Sequence, residues 1–155
     1  MTNTASLTPN TKTSLTGALQ KALADSFVLY FKTHGFHWNV EGPNFHALHI
    51  MFEGQYTEIW TALDEMAERI RALDEYAPVS YTQMVKNANI DETSQVPSAM
   101  DMVKILAEDN LAVVDTLQAA LDIAQEAGDE ASADLLITRI AAHEKAAWML
   151  RSTAK

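Results

Sequence analysis

Two histidines and three carboxylates stand close enough along the chain to form a metal site. They are His37, His49, Glu53, Asp64 and Glu68. Imidazole and carboxylate together suit iron, zinc or manganese, because these ions accept both nitrogen and oxygen ligands. The chain contains no cysteine, which excludes disulfides and thiolate ligands. Any bound metal must therefore rely on nitrogen and oxygen donors.

The spacing of these residues restricts how they can share a metal ion. On a helix, His49 and Glu53 lie one turn apart and can reach the same ion, and so can Asp64 and Glu68. Between Glu53 and Asp64, however, the helix axis rises by roughly 16 Å. No single ion with bonds of about 2 Å spans that distance. One helix therefore carries two separate half-sites.

A helical wheel of this segment separates an apolar stripe from a mixed flank. The stripe predicted to fill the core consists of Phe45, Leu48, Phe52, Tyr56, Ile59, Leu63, Met66 and Ile70. The four helical metal-ligand candidates lie on one flank of the stripe, which also carries Ile50, Thr57, Trp60 and Ala67. The arc beyond the flank is charged, with Glu58, Glu65 and Arg69. The flank is too apolar for a freely solvated face, which favours a contact between subunits.

A two-fold contact between two copies of this helix would complete the half-sites. An antiparallel copy brings Asp64 and Glu68 of one chain near His37 and His49 of the other, and self-complementarity forms both sites at once. A monomer cannot then assemble the site. The alternative is a di-iron site inside one bundle, which needs Glu followed three residues later by His on two helices. No Glu in the chain has His at that offset, so this alternative fails.

The composition predicts one globular domain, 1–155, with a polar and flexible tail at 1–11. The chain has 155 residues, of which 48% are hydrophobic and 21% charged, enough to bury a core. No apolar run approaches the ~20 residues of a membrane span or resembles a signal peptide, so we expect a cytoplasmic location. The net charge of −10 disfavours polyanionic partners and favours metal cations.

The hydrophobic periodicity predicts four long helices and no strand. Pro43 suits the opening turn of the second helix, Ser98 with Asp101 resembles a capping box, and Gly128 fits a helix stop. A long connection between the second and third long helices carries one short helix. The predicted helices are 12–38, 43–75, 81–86 (short), 98–127 and 129–152. This pattern is typical of an all-α, ferritin-like four-helix bundle, with a plain antiparallel bundle as the alternative.

The segment 34–75 resembles the Dps family, the DNA-binding proteins from starved cells or miniferritins. The likeness rests on HWNVEGPNF at 37–45, LH at 48–49 and LDEMAER at 63–69, and extends more weakly to 143–150. The resemblance implies a hollow dodecamer built from two-fold dimers. It also implies ferroxidase centres at the two-fold interfaces, where Fe(II) is oxidised, typically with hydrogen peroxide, and Fe(III) is then stored as mineral.

Carried over residue by residue, the resemblance divides the site between two chains. It assigns His37, His49 and Glu53 to one subunit and Asp64 and Glu68 to its neighbour. Many members of the family have Asp where this chain has Glu53, and the longer side chain keeps the charge but puts the spacing and occupancy of the metals in question. Iron is the expected metal, with zinc as an alternative occupant.

Other acidic and histidine residues have weaker interpretations. The family has negatively charged three-fold pores, so Glu126, Asp129 and Asp134 are candidates for an ion access path, although solvated surface acids are the plainer interpretation. The neighbouring His34 and His46 match no ligand position and are expected at the surface or around the site. In the last helix, His143 is expected to be buried and hydrogen-bonded rather than a ligand.

The alternatives to an iron-oxidising shell are a non-catalytic structural or DNA-compacting shell with zinc or empty sites, and a zinc hydrolase. The hydrolase lacks an evident cleft and general base. Direct DNA binding is doubtful, because the first fourteen residues contain a single basic residue, Lys12, and the basic residues near the other end are few.

Overall fold

The computed structural model describes residues 7–155, which form five helices and no strand. The helices are α1 (Pro9–Asn39), α2 (Phe45–Ala72), α3 (Tyr81–Asn87), α4 (Ala99–Ala127) and α5 (Glu130–Thr153). Four long helices and one short helix in the long connection confirm the predicted order. None of the helices within 7–155 is both long and apolar enough to cross a membrane.

The first helix begins earlier than the sequence predicted. It starts at Pro9, where the Thr8 hydroxyl accepts a hydrogen bond from the Thr11 amide. Residues 9–11 of the expected tail are therefore helical, because Pro at the first position and a Thr cap suit a helix start. Residues 1–6 of that tail lie outside the described part of the chain.

The turn into the last two helices follows the predicted caps. The Ser98 hydroxyl accepts a hydrogen bond from the Asp101 amide at the start of α4. Gly128 ends α4 with φ 72°, a left-handed conformation that costs glycine little. The carboxylate of Asp129 then accepts a hydrogen bond from the Ser132 amide and caps α5. The caps form because each satisfies backbone hydrogen-bonding groups at a helix end that have no partner within the helix.

The core lies among α1, α2, α4 and α5, with α1 packed on α2 and α4, and α4 on α5. The predicted stripe of α2 is buried at Leu48, Phe52, Ile59, Leu63, Met66 and Ile70. Two members of that stripe depart from the prediction. Phe45 is exposed at the first turn, beyond the end of the core, and Tyr56 is only half-buried beside α1.

A polar network joins α2, α4 and α5, and it is buried at Arg139, His143 and Asn110 and exposed at Glu58. Arg139 on α5 pairs with Glu58 on α2 and donates to His143, whose other ring nitrogen lies 2.9 Å from the Asn110 side-chain oxygen on α4. Because an amide oxygen only accepts, Nδ1 of His143 carries the hydrogen and Nε2 accepts from Arg139. The expectation that His143 is buried and hydrogen-bonded is confirmed. Glu58, which the wheel placed on an outward charged arc, instead ties α2 to α5.

The burial of His143 predicts a specific loss of stability in acid. Burial, and secondarily the charge of Arg139, lowers the pKa of His143 from 6.5 to about 3. Between these two pH values, His143 therefore binds a proton in the unfolded chain but not in the folded chain. Stability from this residue is complete above pH 6.5 and declines as the pH falls toward about 3, by roughly 1.4 kcal/mol per pH unit.

The measurement is the urea midpoint as a function of pH for the wild type and for His143→Gln. The glutamine variant keeps a hydrogen-bonding side chain but cannot titrate, so its midpoint should fall less steeply between about pH 6 and pH 4. If the urea midpoints of the two proteins fall equally steeply with pH, the pKa of His143 is not lowered by folding.

Candidate metal centre

His37 and His49 face each other across the α1–α2 turn and fix each other's ring orientation. His37 Nδ1 lies 2.7 Å from the carbonyl oxygen of His49, and His49 Nδ1 lies 2.8 Å from the carbonyl oxygen of His37. The rings stack with centroids 3.8 Å apart and planes 14° apart. Since a carbonyl only accepts, both Nδ1 atoms carry hydrogen. In the neutral tautomer with hydrogen on Nδ1, the lone pair lies on Nε2, which is the atom that can bind a metal.

The tight turn between the helices makes this pairing possible. α1 ends where the Val40 amide donates to the Phe36 carbonyl, and α2 begins where the Phe45 amide donates to the Gly42 carbonyl. Gly42 has φ 114°, a conformation that side chains rarely tolerate. The sharp reversal brings the last turn of α1 against the first turns of α2, so His37 meets His49.

The three predicted carboxylates lie exposed on α2. Glu53 is one turn beyond His49, whereas Asp64 and Glu68 lie farther along the helix. Within residues 7–155, no group of three or more His, Asp or Glu side chains comes together as a metal site. One chain thus holds the imidazole pair and, separately, a pair of carboxylates. The assignment of these five residues to a shared site remains a prediction.

Large apolar side chains near these carboxylates are exposed in the part of the chain that the structure describes. Ile50 is 50% exposed and Trp60 57%, and near the turn Phe45 is 43% and Trp38 58% exposed. Asp64 borders a shallow groove that Trp60 also lines. Scattered apolar residues are ordinary on a surface, but a group beside ionisable side chains fits a contact with another molecule. This flank is the face that the sequence predicted to meet a second copy.

An aromatic cluster lies behind the imidazole pair and was not predicted. Tyr30 and His34 on α1 are joined by a hydrogen bond of 2.9 Å between the phenol oxygen and Nδ1. His34 stacks on Tyr56 of α2 at 3.7 Å between centroids, with planes 9° apart, and on its other side lies 4.1 Å from Trp38. Burial, and secondarily His37, lowers the pKa of His34. The signal available in the sequence was the four-residue spacing of aromatic side chains along α1.

The acidic residues proposed for ion access have different environments. Glu126 and Asp134 are exposed, so they stay candidates, but Asp129 is buried. Its carboxylate accepts hydrogen bonds from Arg69 at 3.0 and 3.2 Å and from Ser132. Burial alone would raise the pKa of Asp129, but the bonds from Ser132 and the charge of Arg69 outweigh it and lower that pKa. Asp129 therefore caps and clamps α5, and its assignment to an ion path is withdrawn.

Comparison with known proteins places the whole bundle in one family. The profile of the ferritin-like domain family matches residues 16–155. A DNA protection during starvation protein from Brevibacillus brevis is 40% identical over 134 residues, which are 86% of this chain and 90% of that protein. A second such protein, from Bacillus anthracis, is 39% identical over 134 residues, which are 86% of this chain and 92% of the relative.

Solved structures give the same result for the fold. The Dps protein from Vibrio cholerae, described as a member of a superfamily of ferritin-like diiron-carboxylate proteins, superimposes with a TM-score of 0.93 at 32% identity. The match covers 99% of this chain and 97% of that one. A Dps protein from Bacillus brevis gives 0.92 at 36% identity, over 96% of this chain and 100% of the other.

Proposed function

Because this chain belongs to the Dps family of ferritin-like proteins, we propose that it oxidises Fe(II) at sites shared between subunits. The Fe(III) product is stored as mineral inside a hollow dodecamer. The family supports iron storage and protection in general. The observation that carries the more specific proposal is the reciprocal bonding of His37 and His49, which holds both rings in the metal-binding tautomer.

The proposed site combines the two half-sites of α2 across a two-fold axis. His37, His49 and Glu53 come from one subunit, and Asp64 and Glu68 from the other. The first Fe(II) binds Asp64, Glu68 and His37, and the second binds His49 and Glu53. Three carboxylates offset the charge of the product, because carboxylate oxygen is a hard donor that favours Fe(III) over Fe(II).

The proposed reaction uses two iron ions for each peroxide. Each Fe(II) loses one electron, the O–O bond of hydrogen peroxide breaks, and two protons convert the two oxygen atoms to water. Two Fe(III) and two water molecules result, and no hydroxyl radical leaves the site. Holding both reductants beside one oxidant makes the two-electron step faster than the one-electron side reaction. Protection of the cell from iron and peroxide follows.

Anaerobic titration tests this function. Fe(II) is added to the assembled protein without oxygen, hydrogen peroxide follows, and the peroxide consumed per Fe(II) oxidised is measured. One peroxide for two Fe(II), at a rate well above that in buffer, is the expected result. A non-catalytic shell, with zinc or no metal in its sites, would oxidise Fe(II) no faster than buffer. The mass of the native assembly, measured on the same sample, tests the dodecamer.

We predict weak or absent DNA binding, although relatives carry the name DNA protection during starvation protein. The chain has a net charge of −10, so an assembly of many copies repels phosphates. A gel-shift assay at about 0.15 M salt, without divalent cations, should leave duplex DNA unretarded. A retarded band under these conditions would contradict the prediction.

A further inference from the structure

A cavity of about 320 Å³ lies between α1 and the connection that joins α3 to α4. We propose that this cavity binds a small organic ammonium ion with a flat apolar body, such as an aromatic amine. The lining comes from α1, α3 and residues 92–96, whereas the proposed two-fold contact uses α2. The inference therefore goes beyond the proposed iron chemistry, and metal-free protein can test it.

Aromatic side chains form two edge-to-face pairs in the lining of the cavity. The ring centroids of Phe31 and Trp38 lie 6.4 Å apart with planes at 81°, and those of Phe27 and Tyr81 lie 5.6 Å apart with planes at 76°. Ligand cavities begin at roughly 300 Å³, so this one has room for a single aromatic molecule. Because the face of an aromatic ring attracts a positive charge, these walls suit a cation with an apolar body.

The charges in the lining favour the same class of ligand. Lys32 has a side chain that is only 6% exposed, and its ammonium nitrogen lies 2.7 Å from Oδ2 of Asp109. This pairing offsets the positive charge of Lys32 inside the cavity. Glu92 lies exposed at the rim, and within residues 7–155 it belongs to no ion pair. Its carboxylate is therefore available to an ammonium group.

Two more carboxylates lie close to the buried ion pair. Burial raises the pKa of Asp109 although Lys32 lowers it, and the charges of Glu108 and Asp91 add to the rise. Together with Glu92, four carboxylates therefore stand against one ammonium group around the cavity. Such an excess of negative charge attracts an organic cation and repels an organic anion.

The two features together define how the ligand lies. Its apolar body enters among the rings of Phe27, Phe31 and Trp38, and its ammonium group stays at the rim beside Glu92. There the carboxylate accepts charge-assisted hydrogen bonds from the ammonium group. A neutral molecule of the same shape keeps the apolar contacts but loses the attraction of the carboxylate and of the ring faces.

Calorimetric titration of the assembled, metal-free protein tests the site with 2-phenylethylammonium and with 2-phenylethanol, which has nearly the same size but no charge. The ammonium ion should bind about tenfold more tightly, because Glu92 and the ring faces act on its charge. Glu92→Gln keeps the size of the side chain and should reduce this preference about threefold. Glu130→Gln removes the same charge from an exposed position on α5 and is the matched control, which should keep the full preference.

Gly35 offers a way to close the cavity without disturbing the helix. It belongs to the lining, and a Cβ atom added to it would meet no described atom beyond its own helical turns within 4 Å. Gly35→Leu should fill the space and abolish the binding of both probes, while α1 persists because leucine favours a helix more than glycine does. Gly17→Leu makes the same change at an equally open, exposed position of α1 outside the cavity and should leave binding intact.

Three results would overturn the proposal. Equal affinity for the two probes would show that the charge is not recognised, and binding that survives Gly35→Leu would place the probes elsewhere. No binding to the assembled protein would mean that a second copy closes the cavity. None of these results depends on iron, so the amine site and the proposed Fe(II) oxidation can each fail while the other holds.

Discussion

Replacing His37 and Asp64 together by alanine is expected to abolish rapid Fe(II) oxidation while leaving the helical circular dichroism nearly unchanged. His37 supplies an oriented imidazole and Asp64 a carboxylate, so the first iron loses two of its three ligands. Loss of a group that merely supports a ligand lowers metal binding or activity 10–100-fold, so we expect about 100-fold or more here. Asp64 is exposed, and the fold loses little when it is truncated. Stopped-flow measurement of Fe(II) oxidation with peroxide provides the rate.

A matched control removes one histidine and one carboxylate at positions outside the proposed site. His46 and Glu65 are both exposed on α2, and neither occupies a proposed ligand position. The double change of His46 and Glu65 to alanine also removes one imidazole and one carboxylate from the chain and should leave the oxidation rate close to that of the wild type. Rapid oxidation that survives the loss of His37 and Asp64 would show that the ligands are assigned wrongly.

The local features of the fold were the most predictable from the sequence. The Ser98 cap and the Gly128 stop depend on a few adjacent residues, and the structure has both. The helix limits were less accurate: α1 begins at Pro9 instead of residue 12, and α2 begins at Phe45, so Pro43 precedes that helix and does not lie in its opening turn. The apolar stripe of α2 was also correct over most of its length, because burial follows the helical period. Phe45 was misplaced because the wheel assumes that the core extends along the whole helix, whereas this residue lies beyond its end.

Contacts between distant helices were the least predictable. Glu58 and Arg69 belonged to a charged arc on the wheel, but each is hydrogen-bonded to a residue of α5 more than fifty positions away. The partner of a charged side chain depends on which helix lies opposite, and the periodicity of one helix does not contain that information. Asp129 was interpreted as a surface acid for the same reason, although its position before α5 also suited a cap.

In the candidate site, too, some features could be predicted from the sequence and others could not. The types and spacing of His37, His49 and the three carboxylates were enough to predict two half-sites. The reciprocal hydrogen bonds of the histidines could not be predicted, because each depends on a backbone carbonyl of the facing helix. The Tyr30–His34 hydrogen bond was missed as well, although both residues lie one turn apart on α1.

The second prediction is that two inactive variants recover activity when they assemble together, because each site is divided between two subunits. The His37→Ala chain lacks a ligand in one half-site, and the Asp64→Ala chain lacks a ligand in the other, so each alone should be nearly inactive. In a two-fold pair of the two chains, one site carries both lesions and the other carries none. Random pairing of equal amounts should leave about a quarter of all sites intact, because half of the pairs are mixed.

A further mixture controls for effects of refolding the chains together. His37→Ala and Glu53→Ala both damage the half-site that one subunit supplies. When these two chains are unfolded, mixed and reassembled, every site contains at least one lesion, so no recovery is expected. This control mixture is unfolded and reassembled in the same way as the mixture of His37→Ala and Asp64→Ala, but no recovery of activity is expected.

The most direct measurement is the rate of peroxide-dependent Fe(II) oxidation after His37→Ala and Asp64→Ala chains are reassembled in equal amounts. Sites shared across a two-fold axis predict recovery to about a quarter of the wild-type rate, with none in the His37→Ala and Glu53→Ala mixture. A rate that stays at the level of the separate variants, in assemblies shown to contain both chains, would mean that all ligands of a site belong to one subunit.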